Sequence, residues 1–190
     1  MGLGSNKSPL IGFRSRKAAQ VSALFAIRSG GKIGKLKLSK MLYLSERESM
    51  ATRGRPIFYD EYYSLKDGPI CSNALNGVNR NIDVETWSDY IVKNTNIEVM
   101  ANDSISIDDL DEFSASDIEV LDSVWAQFGW MSTRTIREWT HKNCPEYIEV
   151  TNGRLPISYR DVYAALGFEH PGHMADEIGA YRNLEAALNI

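Results

Sequence analysis

The sequence lacks the features by which several common functional classes are recognised. It has no apolar run near the roughly 18 residues that a membrane-spanning helix needs, and no N-terminal apolar stretch followed by a cleavage site. It has no phosphate-binding glycine loop, no Gly-x-Gly-x-x-Gly turn and no His-Glu-x-x-His zinc motif. These absences predict a cytoplasmic protein and argue against an ATPase, a dinucleotide-dependent enzyme or a zinc peptidase.

Cysteine and histidine are scarce, and neither is arranged for a common site. Cys71 and Cys144 lie far apart without paired spacing, so we expect reduced thiols rather than a disulfide. His141 stands three residues before Cys144, a conceivable nucleophile–base pair, but a proline follows directly and marks a helix exit. His170, His173 and Asp176 form a loose metal set that falls short of four zinc ligands. We therefore expect no catalytic residue, no metal and no cofactor.

Charge is distributed unevenly, because the first forty residues contain no acid and residues 83–122 contain one base, Lys93. The early basic residues are Lys7, Arg14, Arg16, Lys17, Arg28, Lys32, Lys35, Lys37 and Lys40. The later acids are Asp83, Glu85, Asp89, Glu98, Asp103, Asp108, Asp109, Asp111, Glu112, Asp117, Glu119 and Asp122. This asymmetry indicates either charged partners or two segments that pack together and neutralise each other.

The stretch from Lys37 to Ile70 organises the predicted fold. Apolar residues at three- and four-residue spacing predict a helix that Gly54 ends. Two β-prone runs follow, Ile57–Tyr59 and Tyr62–Leu65, at hairpin spacing around Asp60-Glu61.

Helix and strand signals continue on both sides of this stretch. Helices are predicted over Arg16–Arg28, from Ser72 to about Asn79, from Ser114 to about Phe128, from Ser132 or Thr133 to before Pro145, over Ser158–Leu166 and over His173–Leu188. Further strands are predicted over Glu85–Val92 and Asn94–Met100, with Ile105–Ile107 as a continuation. The predicted class is α+β: a mostly helical domain packed around one small antiparallel β-sheet.

Three segments of the central stretch carry a resemblance to a known family. Lys37–Tyr43, Gly54–Phe58 and Lys66–Ile70, in this order and spacing, resemble the motif series of the Panacea domain of SocA-like antitoxins, a family that includes phage-associated GepA-type proteins. The resemblance is firm over residues 37–70 and looser to about residue 146. The family usually has Trp where this chain has Leu65, and an aromatic residue or His where it has Asp67.

The resemblance implies a non-enzymatic antitoxin of a bacterial or phage toxin–antitoxin pair. Such a protein neutralises a toxin encoded next to it by direct protein–protein binding. We expect a disordered N-terminus over residues 1–13, a Panacea-like domain over residues 14–150, and a C-terminal helical extension over residues 151–190 packed on the same domain.

Aromatic, arginine and acidic residues are the candidate toxin contacts, because aromatics and arginine anchor interfaces and acids could cover a basic toxin surface. The candidates are Tyr43, Arg55, Phe58, Tyr59, Tyr62, Tyr63, Asp67, Asp108, Asp109 and Asp111. Two alternatives stay open: a proteolytic adaptor that delivers a toxin to a protease, and a repressor that binds operator DNA through the basic N-terminal helix. Neither involves a membrane.

Overall fold

The structure, a computed structural model, describes residues 12–93 and 95–188. The α-helices in these ranges are α1 Ser15–Arg28, α2 Lys35–Arg53, α3 Ser72–Val78, α4 Val84–Tyr90, α5 Ala115–Phe128, α6 Thr133–Asn143, α7 Tyr159–Ala165 and α8 Pro171–Leu188. The strands are β1 Lys32–Gly34, β2 Tyr62–Leu65, β3 Gly68–Cys71, β4 Ile91–Lys93, β5 Glu98–Ala101 and β6 Leu155–Ile157. The predicted α+β class, mostly helical, is confirmed.

The helix boundaries follow the capping signals of the sequence. Gly54 ends α2 in the left-handed conformation, at φ 70°, which glycine adopts without a steric penalty. Ser114, Ser132 and Ser158 cap α5, α6 and α7, each accepting a hydrogen bond from the backbone N–H three residues later. These short-range hydrogen bonds explain why the sequence placed the starts of these three helices correctly.

Two three-stranded antiparallel sheets replace the single predicted sheet. One has the order β1-β5-β4 and the other the order β3-β2-β6. Residues 32–34, between the first two predicted helices, form strand β1, which pairs with β5. Strand β6 was not predicted and pairs with β2. Both additions are three-residue strands, which are too short to leave a sequence periodicity.

The predicted hairpin over residues 57–65 is wrong. Strand β2 pairs with β3 across the turn at Lys66-Asp67 instead. Ile57 and Phe58 donate their backbone N–H groups to a side chain of α2, and Tyr59 has a positive φ of 58°. A segment whose N–H groups are used in this way cannot form a β-ladder.

The predicted strand at residues 85–92 is helix α4 for most of its length. Trp87 and Tyr90, which made the run look β-prone, lie three residues apart and are both buried. The Trp87 indole N–H donates to Ser15 at 3.0 Å, and Gln20 donates to the Tyr90 hydroxyl at 3.1 Å. Packing on α1 therefore decides the conformation. Residues 105–107 form no strand either, since a 3-10 turn spans Ile107–Asp109.

Helices α1 and α2 form the centre of the core. Almost every α1 residue from Lys17 to Ala26 is buried, including Phe25, which stacks on Trp125 of α5. On α5, Val120 is buried while Ile118 is exposed. Within the described ranges, no helix is both long and apolar enough to cross a membrane.

The first described residues and the C-terminal extension both contact this core. The predicted disordered segment 1–13 lies outside the described residues except for its last two, and Phe13 packs edge-on against Phe58. The extension over residues 151–190 is described to residue 188. It supplies β6 to a sheet of the domain, and Tyr181 stacks on Tyr59. Leu184 and Leu188 of α8 are exposed.

Candidate functional site

The first and third motif segments meet at a buried lysine. The ammonium of Lys40 donates to the carbonyl of Pro69 at 2.9 Å, and burial lowers the pKa of Lys40 to about 7. A side chain at Gly68 would stand 3.0 Å from the Lys40 nitrogen and 3.0 Å from Thr140 Oγ1. Glycine, at φ 102°, is therefore needed both for this approach and for the turn conformation.

The second motif segment is held by a buried glutamate of α2, which lies just after the first motif segment. Glu46 Oε1 accepts the backbone N–H groups of Ile57 at 3.1 Å and Phe58 at 2.7 Å, and Oε2 accepts the Tyr62 hydroxyl at 2.7 Å. Burial raises the pKa of Glu46 to about 7, against the opposing effect of these hydrogen bonds. The carboxyl group fixes the path of the chain after α2.

Two further buried acids complete what we call the polar frame, defined by Lys40, Glu46, Asp60 and Glu146. Asp60 accepts the backbone N–H groups of Asn73 at 2.8 Å and Ala74 at 2.7 Å at the start of α3. Burial raises its pKa to about 6. Glu146 accepts the Tyr43 hydroxyl at 2.6 Å and the Arg47 guanidinium at 2.7 Å.

The polar frame corrects the list of candidate toxin contacts. Tyr43, Phe58, Tyr59 and Tyr62 are at most 4% exposed, so these side chains serve the core and the polar frame instead of an outer surface. The aromatic side chains at these positions are core residues. Tyr43 and Tyr62 also donate hydrogen bonds to the buried carboxyl groups. Arg55 and Asp67 are exposed and Tyr63 is half-buried, with the Arg154 guanidinium 4.2 Å from its ring centroid.

An apolar groove opens beside the polar frame, between α2 and the β2–β3 turn. Its volume is about 440 Å³. The groove residues are Lys35, Leu36, Ser39, Lys40, Leu65, Lys66, Asp67, Ile70, Leu75, Asn96, Ile97 and Gly153. Ile97 at the groove is 75% exposed. Leu65 and Asp67 are the two positions at which the sequence departs from the motif series, so the departures share one surface.

The acidic segment lies against the basic α1, which supports the neutralising interpretation for much of the charge. Arg16 pairs with Asp111 at 2.8 Å and with Glu112 at 2.6 Å. Arg28 pairs with Asp122 at 2.5 Å. Asp109 accepts from the Ser106 N–H and hydroxyl groups and so caps a turn. Of the three predicted acids, only Asp108 is exposed without a hydrogen bond or ion pair inside the described part of the chain.

The same contacts leave α1 poorly placed for binding DNA. Lys17 is 6% exposed and pairs with Asp117 at 2.9 Å, while Arg14 pairs with Glu185 at 3.3 Å. Phosphate contacts need cations that are free to replace counterions. Arg16, Lys17 and Arg28 of α1 each have a carboxylate partner within the domain, so their charges are largely neutralised there.

The geometry around His141 and Cys144 does not assemble an activated nucleophile. Burial raises the pKa of the Cys144 thiol to about 12 and lowers the pKa of the His141 imidazole, so neutral forms are favoured. Both cysteines are unpaired and buried. In residues 12–93 and 95–188, no group of three His, Cys, Asp or Glu residues is arranged to hold a metal ion.

Comparison with known families gave one result that covers the polar frame. The model of the family described as "Antitoxin SocA-like, Panacea domain" matches residues 38–146, more than half of the 190-residue chain. The match includes all four residues of the polar frame. No curated protein matches the chain, and no solved structure matches it.

Proposed function

Because the chain belongs to the SocA-like antitoxin family and carries its Panacea domain, we propose that it neutralises a co-encoded toxin by direct protein–protein binding in the cytoplasm. Family membership is the observation that carries this proposal. The motif segments make buried contacts: Lys40 of the first donates to Pro69 of the third, and Phe58 of the second donates to Glu46 of α2. Motifs of this kind specify a frame, and they leave the outer surface free to suit different toxins.

The groove is the surface on which we propose that the toxin docks. It is apolar and concave, as binding sites commonly are, and the exposed Ile97 adds an apolar residue at its mouth. Leu65 and Asp67 lie in it, and these two positions differ from the usual family residues. We infer that the toxin inserts an apolar side chain there, because most of the groove's exposed surface is apolar. The aliphatic lining residues are Leu36, Leu65, Ile70, Leu75 and Ile97.

Exposed, unpaired acids of this chain support a second contact, with a basic surface of the toxin. Glu85, Asp89, Asp103, Asp108 and Glu119 are exposed, and none forms an ion pair within the described ranges. Exposed charge of one sign accelerates association with an oppositely charged partner and disfavours others. Asp108 is the predicted contact that this argument retains.

Two other functions make separate predictions. A repressor would need free cations on α1, and the pairing of Arg14, Arg16 and Lys17 disfavours it. A proteolytic adaptor would also bind the toxin, and it differs in that the toxin would be degraded faster in its presence. No contact in the described structure favours a protease partner.

Co-purification tests the proposal. A tagged copy of this chain would be expressed together with the adjacent gene, and each would also be expressed alone. We expect a stoichiometric complex containing a protein that is toxic alone and harmless in the complex. A chain that emerges without a partner, or a partner that is harmless alone, would contradict direct neutralisation. Toxin half-life in the same cells distinguishes neutralisation from adaptor-driven degradation.

A variant at His141, the conceivable base of the His141–Cys144 pair, separates binding from enzymatic activity. His141→Ala leaves the groove residues and the exposed acids unchanged. We expect this variant to neutralise the toxin as well as the natural chain does. Loss of neutralisation with the complex still intact would instead indicate chemistry at His141.

A further inference from the structure

A second, smaller pocket lies at the C-terminal end of α2. Unlike the apolar groove, it is rich in charged residues. Its volume is about 140 Å³. The pocket residues are Arg14, Lys17, Arg53, Arg55, Pro56, Ile57, Tyr59, Ser114, Asp117 and Tyr181. Four of them are cations and one is an acid. We call this the cationic pocket.

The single acid of the cationic pocket is already hydrogen-bonded to its neighbours. Asp117 accepts from Lys17 at 2.9 Å, from Arg53 at 2.8 Å, and from both the N–H and the hydroxyl of Ser114. Burial alone would raise the pKa of Asp117, but these hydrogen bonds outweigh it and hold the pKa at about 2. Oδ2 accepts three of these hydrogen bonds and Oδ1 accepts the one from Arg53, so the carboxylate is already engaged by its neighbours.

The cations, in contrast, keep donors in reserve. Arg14 uses Nη2 for Tyr181 and Glu185, which leaves its Nε and Nη1 hydrogens. The Lys17 ammonium donates one of its three hydrogens, to Asp117. Arg55 is exposed, and its guanidinium forms no hydrogen bond or ion pair within the described ranges. Counting Asp117 and Glu185 against the four cations leaves a surplus of two positive charges.

Aromatic stacking holds the pocket wall in place. The Tyr59 and Tyr181 rings stack with centroids 4.7 Å apart, and the Arg14 guanidinium lies 5.2 Å from the Tyr59 centroid. Tyr59 has φ 58°, an unfavourable conformation for a bulky residue. Strained residues of this kind concentrate where a binding surface is preorganised.

From the charge surplus, the spare donors and the volume, we propose that the cationic pocket binds a phosphate group. Arginine pairs with phosphate through charge-assisted hydrogen bonds, which run parallel where two neighbouring N–H groups are available. Arg55 can offer such a parallel pair, and Arg14 can add single hydrogen bonds from Nε or Nη1. Pockets for drug-sized ligands measure about 300–1,000 Å³, so the cationic pocket holds the phosphate group itself and no attached nucleoside. This site is separate from the groove and does not rest on the antitoxin role.

Calorimetric titration of the full chain tests this site. The probes are inorganic phosphate, tripolyphosphate and ATP, each at constant ionic strength with chloride as the competing anion. We expect saturable binding of one phosphate group, weakened at least tenfold in Arg55→Gln and unchanged in Arg80→Gln. Arg80 is an exposed arginine outside the cationic pocket, so its variant controls for net charge.

The probes also separate the possible sources of the phosphate group. Preference for inorganic phosphate identifies the free anion, and equal or stronger binding of ATP and tripolyphosphate identifies a terminal phosphate. Bound phosphate should raise the thermal unfolding midpoint of the natural chain and of Arg80→Gln more than that of Arg55→Gln. Absence of saturable binding by all three probes, or equal affinity of the two variants, would overturn the proposal. Neither result bears on toxin binding.

Discussion

The carboxylate of Glu46 accepts the backbone N–H of Phe58 at 2.7 Å, and Glu46 is fully buried. This one side chain joins α2 to the segment that follows it. Because it takes the backbone N–H groups of Ile57 and Phe58, these residues do not pair as a β-strand. Because burial raises its pKa to about 7, it also makes the stability of the domain sensitive to pH.

Glu46 should make the folded protein less stable as the pH rises. Its pKa is 4.5 ordinarily and about 7 here, so the folded state binds the proton more tightly than the unfolded state. The free energy of unfolding therefore falls between pH 4.5 and pH 7, by about 3 kcal/mol for this group. Glu46→Gln should remove this part of the pH dependence of the free energy of unfolding. Urea unfolding at pH 5 and pH 8 measures the change. Glu119→Gln, an exposed control, should keep the pH dependence, and an unaltered dependence in Glu46→Gln would contradict the argument.

Asp117→Asn should destabilise the fold far more than Asp122→Asn, although both residues lie on α5. Asp117 is buried with Lys17 and Arg53 as partners, and breaking a buried pair costs about 3–5 kcal/mol. Asp122 has one partner, Arg28, and its side chain is 55% exposed, so about 1 kcal/mol or less is expected. Urea unfolding at pH 7 measures both.

The contribution of Asp117 should disappear in acid. Its pKa is lowered from 3.8 to about 2, so its stabilising effect is fully present above pH 4 and is lost as the pH falls through 2. The stability difference between the natural chain and Asp117→Asn should shrink over this range. A difference that stays constant from pH 5 to pH 2 would show that the ion pairs are not its source.

Gly77→Ala should disrupt the packing of α3 on α4. A Cβ at Gly77 would lie 1.9 Å from Cε2 of the Trp87 indole, and Trp87 is fixed by its hydrogen bond to Ser15. Overpacking of this kind costs about 1–3 kcal/mol. Gly179→Ala, in α8 with open space around it, should instead stabilise the chain by up to about 1 kcal/mol. Thermal unfolding that ranks the two variants equally would reject the contact.

Ile97→Lys should weaken toxin binding at least tenfold without loss of stability. Ile97 is 75% exposed, so the unfolding midpoint should not change, whereas a charge at the mouth of the groove must be desolvated on docking. Ile118→Lys, an exposed isoleucine on α5 outside the groove, is the matched control. Titration of the purified complex that finds equal affinities would place the toxin elsewhere.

Asp108→Lys should weaken the toxin complex and make the affinity less sensitive to salt. Reversal at Asp111 would also break its pair with Arg16, and reversal at Asp109 would remove a turn cap. Asp108 has neither role, so it reports on the partner alone. Glu169→Lys, an exposed acid outside the acidic segment, is the control. If Asp108→Lys binds as tightly as the control at low salt, the acidic segment is not part of the interface.

The sequence by itself determined the features that depend on nearby residues. Gly54 and the capping serines Ser114, Ser132 and Ser158 act within one helical turn, so the helix ends were readable from spacing. The order of the three motif segments likewise indicated the family. The positions of capping residues and the order of motifs are properties of the amino-acid sequence itself.

Only the tertiary structure decided what distant polar groups do. Whether Tyr62 anchors a toxin or donates to Glu46 depends on which residues α2 brings beside it. Whether Arg16 meets DNA or Asp111 depends on how α1 lies against the acidic segment. A hydrogen bond or ion pair is set by distances of about 3 Å between atoms, and spacing along the sequence does not fix such distances across a folded chain.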